Sequence, residues 1–217
     1  MESDSTTTLD KVEVHGSPFP HLTVADFLSA EDSESVLAWL EGFDGWTSKS
    51  EQHYKSDVHH FPGGNIPADL QGILTPDKLA RVRTLMEQSF GVRFQSDYFL
   101  LANRYVPGDG TAVHSDFNPD KSHKYFFTHR LIAYFNRSWE PSDGGVLGLF
   151  ASENPSSLAA QYNPVHNTAA GMAMGTSSYH AVSALRQGIR YCLIFSFTTE
   201  SGEYQESLEA PRSLTGA

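Results

Sequence analysis

The chain has 217 residues, of which 26 are acidic and 15 are lysine or arginine, so its net charge is −11. This balance argues against a general binder of nucleic-acid backbones, which needs a basic face. No apolar stretch approaches the roughly 18 residues of a membrane span, and the polar first residues lack the apolar segment of a secretory signal. We therefore expect a cytoplasmic protein with neither nucleic-acid nor membrane partners; the sequence leaves its oligomeric state open.

The hydrophobic content of 39% is sufficient for a folded core, and the length is typical of one domain. Polar composition predicts a flexible lead-in over residues 1–20 and a C-terminal tail over 201–217. Residues 21–200 are expected to form one domain. The single cysteine, Cys192, excludes an intramolecular disulfide and a zinc site built on thiolates, and its apolar surroundings predict a buried thiol.

Two helices are predicted in the first half of the chain. Ser29 is expected to cap a helix over about 31–43, with Asp32 completing a capping box. In the second helix Thr75 is the N-cap, Pro76 takes the first helical position and Gly91 ends the last turn. Apolar side chains recur at helical spacing in both, so each helix should present one face to a core.

Short strands are predicted after Gly91, where aromatic and β-branched runs alternate with Gly, Pro, Asn and Asp. The runs cover residues 97–106, 130–136, 144–150, 171–176 and 189–197. Because the intervening residues carry no strong helix pattern, parallel βαβ units are disfavoured. The predicted fold is mainly β with flanking helices: a double-stranded β-helix (jelly roll, cupin-like) core over about 95–198, with the N-terminal helices packed on one side.

The stretch "RYVPGDGTAVHSDFNPDKSH", residues 104–123, contains His114 and Asp116 two positions apart. About one such His-x-acid tripeptide is expected by chance from 10 histidines and 26 acidic residues, so the tripeptide alone proves nothing. On an extended segment, however, residues at i and i+2 point to the same face, which suits a metal ion. A third ligand must come from elsewhere in the chain.

The best candidate for that third ligand is His180, which directly precedes the last apolar strand, although other histidines are available. Arg190 begins that strand, and a lone arginine inside a barrel is costly unless it meets an anion. A guanidinium fork suits a carboxylate. Two histidines and one carboxylate match the facial triad of non-haem Fe(II) oxygenases.

These residues together resemble the Fe(II)/2-oxoglutarate-dependent dioxygenases, in their prolyl-hydroxylase-like branch. The matching pieces are "YVPGDGTAVHSD", "HRLIAYFNRSWEPSDGGVLGLF" and "HAVSALRQGIRYCLIFSF", in that order. The resemblance covers about residues 98–198, and the segment "LTVADFLSAEDSESVLAWL" resembles the start of such a domain. It implies an oxidoreductase, a hydroxylase that uses iron and 2-oxoglutarate, with ascorbate as a candidate supporting reductant.

The resemblance also implies a role for each matching residue. His114, Asp116 and His180 would bind Fe(II), and Arg190 would pair with the far carboxylate of 2-oxoglutarate. Tyr105, Tyr134 and Leu147 would line the cosubstrate pocket. Trp139 and the Asp143-Gly144-Gly145 turn are interpreted as hairpin structure rather than chemistry.

Substrate contacts are expected in two loops, at residues 51–64 and 117–129. The second loop follows the iron motif directly, and Asn118, Asp120 and His129 are its candidate substrate residues. The compact chain favours a small molecule, such as an amino acid or biosynthetic intermediate, over a peptide. A prolyl hydroxylase of the same superfamily remains the alternative, an AlkB-like demethylase is disfavoured by the acidic balance, and a cupin-like metal-binding module without oxygenase activity is the alternative from another class.

Overall fold

The protein is described by a computed structural model over residues 11–51 and 54–208. Within these residues it forms two helices and twelve strands, none of which pair in parallel. The elements are α1 (Ala30–Gly42), α2 (Pro76–Phe90), β1 (Val12–His15), β2 (His21–Val24), β3 (Thr47–Glu51), β4 (Tyr54–His60), β5 (Phe94–Tyr105), β6 (Gly110–Thr111), β7 (His129–Tyr134), β8 (Leu147–Phe150), β9 (Leu158–Tyr162), β10 (Thr168–Ala173), β11 (Tyr179–Val182) and β12 (Arg190–Thr199).

The strands form two antiparallel sheets. The larger sheet has the order β1-β2-β10-β7-β12-β5-β4-β3, with β6 added beside β4, and the smaller has the order β11-β8-β9. A single backbone bridge between His114 and His180 connects the loop after β6 to β11. The antiparallel jelly roll predicted from the sequence is therefore confirmed.

Both helices begin at the caps that the sequence indicates. The Ser29 side chain accepts a hydrogen bond from the backbone N–H of Asp32 at 3.1 Å, and Thr75 does the same for Lys78 at 3.3 Å. Gly91 ends α2 in the left-handed conformation, with φ of 68°, which glycine adopts without steric cost. Neither helix of the described ranges is long and apolar enough to cross a membrane.

The core has two parts, one on each face of the large sheet. On one face, α1 and α2 bury Leu37, Leu40 and Met86 against strand residues such as Leu193. On the other face, residues of the large sheet meet Leu147 and Leu149 of β8. The second part is smaller, because much of the space between the two sheets is an open cavity, which holds the candidate site.

Three sequence-based expectations about flexible segments differ from the structure. Of the predicted lead-in, residues 12–15 form β1, which pairs with β2, while residues 1–10 lie outside the described ranges. The predicted loop at 51–64 is largely strand, since β4 pairs with both β3 and β5. In the C-terminal tail, the Tyr204 hydroxyl donates to the Asn118 carbonyl at 2.6 Å, so this part packs on the barrel; residues 209–217 are not described.

Candidate metal and cosubstrate site

Three potential metal ligands converge at one end of the inter-sheet cavity. His114, Asp116 and His180 each offer a ligand atom, and these atoms lie within 4.8 Å of one another. The Nε2 atom of His114 is 3.6 Å from one oxygen of Asp116, and the Nε2 atom of His180 is 3.4 Å from the other. The structure thus brings together the three residues that the sequence motif and the resemblance single out.

Backbone carbonyls orient both imidazoles. The Nδ1 atom of His114 lies 2.8 Å from the Ala112 carbonyl oxygen, and that of His180 lies 3.0 Å from the Ser178 carbonyl oxygen. Because a carbonyl can only accept, Nδ1 carries the proton in each ring and Nε2 presents its lone pair. Fixing the tautomer in this way is the usual arrangement around a histidine that binds a metal.

The turn between the histidine and the carboxylate is held by Ser115. Its hydroxyl donates to the Gly175 carbonyl at 2.9 Å and accepts the backbone N–H of Phe117 at 3.1 Å. Thr111, just before this turn, accepts the N–H of Val182 on β11 at 2.7 Å. The hydrogen bonds fix His114 and Asp116 against the strand that carries His180.

The Asp116 carboxylate has a second partner, Arg130, which forms an ion pair with the oxygen that faces His180. Burial alone would raise the pKa of Asp116, but the Arg130 charge beside it outweighs burial and holds that pKa far below its usual range. Burial, and then the nearby His180, lower the pKa of His114. Both shifts favour the states that bind a metal cation: an ionised carboxylate and a neutral imidazole.

Sequence analysis missed Arg130, although the signal was present. In "HRLIAYFN" the residues at 130, 132 and 134 alternate on one face of β7, and all three contribute to the pocket side of the sheet. Assigning Tyr134 to the pocket therefore implied that Arg130 would lie on the same face.

Arg190 lies at the closed end of the cavity and is 1% exposed. Its guanidinium carbon is 4.8 Å from the ring centre of Tyr105 and 5.0 Å from that of Tyr134, and one Nη atom is 3.7 Å from the Cys192 sulfur. Among the described residues, no carboxylate forms an ion pair with it, and its Nε atom has no hydrogen-bond partner. Burying a cation without an anionic partner costs free energy. The pocket around Arg190 therefore favours binding of an anion.

The tyrosines beside Arg190 are neutral hydrogen-bond donors. Burial raises the pKa of both Tyr105 and Tyr134 far above the usual value, so neither ionises at physiological pH. The Tyr134 hydroxyl is buried without a hydrogen-bond partner, like the Nε atom of Arg190. The unpartnered Nε atom of Arg190, which lines the cavity, and the neighbouring Tyr134 hydroxyl fit a carboxylate, the group that 2-oxoglutarate would present there.

The cavity that joins the triad to Arg190 has a volume of about 790 Å³. Leu147, Ile132 and Val182 line it with apolar atoms between the two ends. The cavity also has an exposed end, away from Arg190. Phe99, Tyr125 and other residues of β3, β4 and the loop after the triad line this end. The cavity can therefore hold a small dicarboxylate deep inside and still admit a second molecule from solvent.

The three substrate residues predicted from the sequence lie in different environments. Asn118 lines the cavity, so the expectation remains open for it. Asp120 is exposed and caps its own turn, accepting hydrogen bonds from Ser122. His129 does not line the cavity and is fully buried between Phe90 and Phe94, hydrogen-bonded to Thr128 and Gln205, so it is a core residue.

The Asp143-Gly144-Gly145 turn adjoins the Arg190 pocket. Gly144 and Gly145 have φ angles of 78° and 64°, and a Cβ atom on Gly145 would lie 3.0 Å from Cδ of Arg190 and 3.1 Å from the Trp139 ring. Asp143 stabilises the turn by accepting the backbone N–H of Glu140 at 2.7 Å. The turn acts structurally, since it leaves space for the Arg190 side chain.

Comparison with known proteins agrees with this site. Residues 100–198 match the 2OG-Fe(II) oxygenase superfamily, a segment that contains the triad and Arg190. Through this segment, which is slightly less than half of the chain, the protein is similar to the 2OG-Fe(II) oxygenases, and its His-Asp-His group is a site that could hold the Fe(II) that the resemblance implied. No curated protein sequence matches the chain significantly.

Several solved structures share the fold. A Pseudomonas putida prolyl-4-hydroxylase is 19% identical, with a TM-score of 0.67 over 82% of this chain and 91% of its own. A Trichoplax adhaerens prolyl hydroxylase, in complex with a peptide fragment of the hypoxia inducible factor oxygen degradation domain, is 16% identical, with a TM-score of 0.66 over 84% of each chain. A viral collagen prolyl hydroxylase from Paramecium bursaria Chlorella virus-1, in complex with 2OG, is 14% identical, with a TM-score of 0.60 over 82% of this chain and 94% of its own.

These comparisons correct one expectation. Sequence analysis favoured a small-molecule substrate because the chain is compact and no peptide-binding domain is evident in its sequence. The similar structures are named prolyl hydroxylases, and one of them is bound to a peptide while covering the same compact length. Compactness is therefore no argument against a peptide substrate, and the preference for a small molecule was wrong.

Proposed function

We propose that the protein hydroxylates prolyl residues of a peptide or protein substrate, with Fe(II) held by His114, Asp116 and His180. The observation that carries the proposal is the pairing, in one cavity, of this triad with a buried Arg190 that lacks an anionic partner. A metal site alone would fit many proteins. A metal site joined to an unpartnered cation fits a cosubstrate that is at once a metal ligand and a carboxylate.

In this proposal the two Nε2 atoms and one Asp116 oxygen hold the metal from one side, leaving other positions for ligands. Arg130 forms an ion pair with the Asp116 oxygen that faces His180. This pairing favours binding of the metal through a single carboxylate oxygen. Ala112 and Ser178 keep the protons of the imidazoles on Nδ1, so no proton has to leave a ring when the metal arrives.

Arg190 and the Tyr134 hydroxyl would bind the far carboxylate of 2-oxoglutarate, with Tyr105 packed against the guanidinium. Leu147 would contact the carbon chain of the cosubstrate and exclude water from it. When bound, Fe(II) and 2-oxoglutarate activate dioxygen, with the release of succinate and CO2 and the insertion of one oxygen atom into a C–H bond of the substrate. The protein contributes position, charge balance and a dry pocket.

The peptide assignment is supported by the similar prolyl hydroxylases and by the open end of the cavity, which an extended chain could cross. The test is an assay of the purified full chain with Fe(II), 2-oxoglutarate, oxygen and a library of proline-containing peptides. We expect succinate together with a peptide mass increase of one oxygen atom. Matched peptides with alanine in place of proline should give neither product.

Two outcomes would count against this function. If the chain neither binds 2-oxoglutarate nor forms succinate with any peptide, the oxygenase assignment to this site fails. If proline and alanine peptides are oxidised equally, the prolyl specificity fails while the oxygenase remains.

A further inference from the structure

The exposed end of the cavity carries a group of residues that the proposed chemistry does not use. Lys49, His60, Phe99, Tyr125 and Phe127 line the cavity there, and Lys124 lies beside Tyr125. We call these six residues the cavity rim. They come from three separate segments: β3 and β4, β5, and the loop between Asp116 and β7.

The aromatic residues of the cavity rim form one contiguous surface. The ring of Phe99 is 5.5 Å from those of both Tyr125 and Phe127, and 5.2 Å from the imidazole of His60. Tyr125 is 43% exposed, a large fraction for an aromatic side chain with these neighbours. An exposed aromatic surface at the mouth of a reactive cavity is suited to pack against an extended peptide.

The charge of the cavity rim is opposite to that of the protein as a whole. The net charge is −11, and most described lysines and arginines form an ion pair with a carboxylate. Lys49 and Lys124 are exceptions, since neither has a carboxylate partner among the described residues, and the Lys124 ammonium instead lies 5.1 Å from the centre of the Tyr125 ring.

The two lysines outnumber the acidic side chains of the cavity rim. Lys49 and His60 line the same cavity, and burial, together with the charges of Lys49 and Lys124, lowers the pKa of His60. Apart from the ligand Asp116, the acidic side chain that lines the cavity is Glu51, two residues from Lys49 on an edge strand. Among the described residues of the rim, two ammonium groups therefore outnumber one carboxylate, which favours an anionic ligand there.

We propose that the cavity rim binds an acidic side chain of the peptide substrate, close in sequence to the residue that is oxidised. Lys49 and Lys124 provide the charge, and Phe99, Tyr125 and Phe127 pack against the adjacent peptide. In an acidic protein, unpaired cations at the mouth of the active-site cavity attract carboxylates and repel basic peptides. This inference rests on the proposed function, because it names the substrate that the same site selects.

The test uses three peptides of equal length that differ only at the positions flanking a central proline, which are glutamate, glutamine or lysine. With the unsubstituted enzyme, we expect the glutamate peptide to have the lowest KM and the lysine peptide the highest, with similar kcat values. An exposed ion pair changes affinity about two- to fivefold at low salt, so the two lysines together should separate the extreme peptides roughly tenfold. The difference should shrink at high ionic strength.

The Lys49→Glu/Lys124→Glu variant should reverse the order of the three peptides, while Glu51→Gln should increase the preference for glutamate. The matched control is Arg186→Glu, a charge reversal at an exposed arginine whose described hydrogen bond is to the Ser142 carbonyl, outside the cavity lining. It should leave the order unchanged. Equal KM values for the three peptides, or the same order in the double variant, would overturn the inference.

Binding separates this inference from the proposed function. Fluorescence anisotropy with labelled versions of the same peptides reports affinity for the full chain whether or not turnover occurs. Preferential binding of the glutamate peptide, lost in the double variant, supports the cavity rim even if no peptide is hydroxylated, in which case only the proposed reaction is wrong. If all three peptides are hydroxylated and bind with equal affinity, the proposed reaction is supported and the proposed role of the cavity rim is wrong.

Discussion

His114 and His180 face each other across a two-way backbone bridge. The N–H of each donates to the carbonyl of the other, at 3.0 and 2.9 Å, and the ring centres are 4.4 Å apart. Because the bridge pairs two segments that are distant in sequence, the two potential ligands are held by the backbone itself. The site is therefore preorganised, and a metal need not draw the segments together.

From this preorganisation we predict that alanine at His114, Asp116 or His180 abolishes tight Fe(II) binding without unfolding the chain. Each substitution removes one of three ligands, while the backbone bridge needs no side chain. The measurement is an anaerobic Fe(II) titration followed by calorimetry, with circular dichroism to verify the fold. His123→Ala, at a histidine with no part in the triad, is the control. Retention of full affinity in any triad variant would contradict the assignment.

Arg190→Met should have opposite effects on cosubstrate binding and on the stability of the free protein. Hydrogen bonds to charged groups contribute about 1.5–3 kcal/mol, so the Kd for 2-oxoglutarate should rise roughly ten- to a hundredfold. Removing a buried, unpaired cation should leave the unliganded protein at least as stable. Calorimetric binding and thermal unfolding without ligand measure the two effects, with Arg186→Met as the control. A less stable variant with unchanged affinity would show that Arg190 is only a core residue.

Gly145→Ala should weaken 2-oxoglutarate binding although Gly145 itself makes no contact with the ligand. The new methyl group would lie against Cδ of Arg190 and the Trp139 ring, displacing the guanidinium. Gly188→Ala is a close control, because Gly188 has a similar φ of 75° but no atom within 4 Å of the new Cβ. Both variants should lose about 1 kcal/mol of stability from backbone strain. Equal 2-oxoglutarate affinity in the two variants would refute the steric argument.

Acid should destabilise the protein partly through His129. Burial lowers its pKa to about 4 from 6.5, so between these values the unfolded chain binds more protons than the folded one. Stability should therefore be complete above about pH 6.5 and fall as the pH drops toward 4, by roughly 3 kcal/mol from this group. Urea unfolding at a series of pH values measures the slope. His129→Phe should reduce the dependence of the unfolding free energy on pH. An unchanged dependence would show that other residues cause it.

Much of the site was predictable because its residues alternate on strands. His114 and Asp116 share a face, and Arg190 begins a strand whose apolar pattern was clear, so their convergence followed once the jelly roll was assumed. The fold class was equally accessible, since turn residues separate short strands after Gly91. In each case local pattern and tertiary structure agree.

The errors came from contacts distant in sequence. His129 was assigned to substrate by its position in a polar loop, but Gln205, 76 residues away, completes its buried hydrogen bonds. Tyr54 and Lys55 of β4 pair with Gly110 and Thr111, which nothing in the composition of residues 51–64 indicates. Burial and strand pairing of this kind depend on the assembled sheet, not on the local sequence.

The unpaired Arg190 has a consequence for the lifetime of the protein. Under its proposed role, the free enzyme bears an energetic penalty that disappears when a dicarboxylate enters, so ligand binding stabilises the folded state by mass action. A protease that cleaves the transiently opened chain would then degrade the protein faster when 2-oxoglutarate is scarce. The cellular level of the protein would thus follow the supply of the dicarboxylate that it binds.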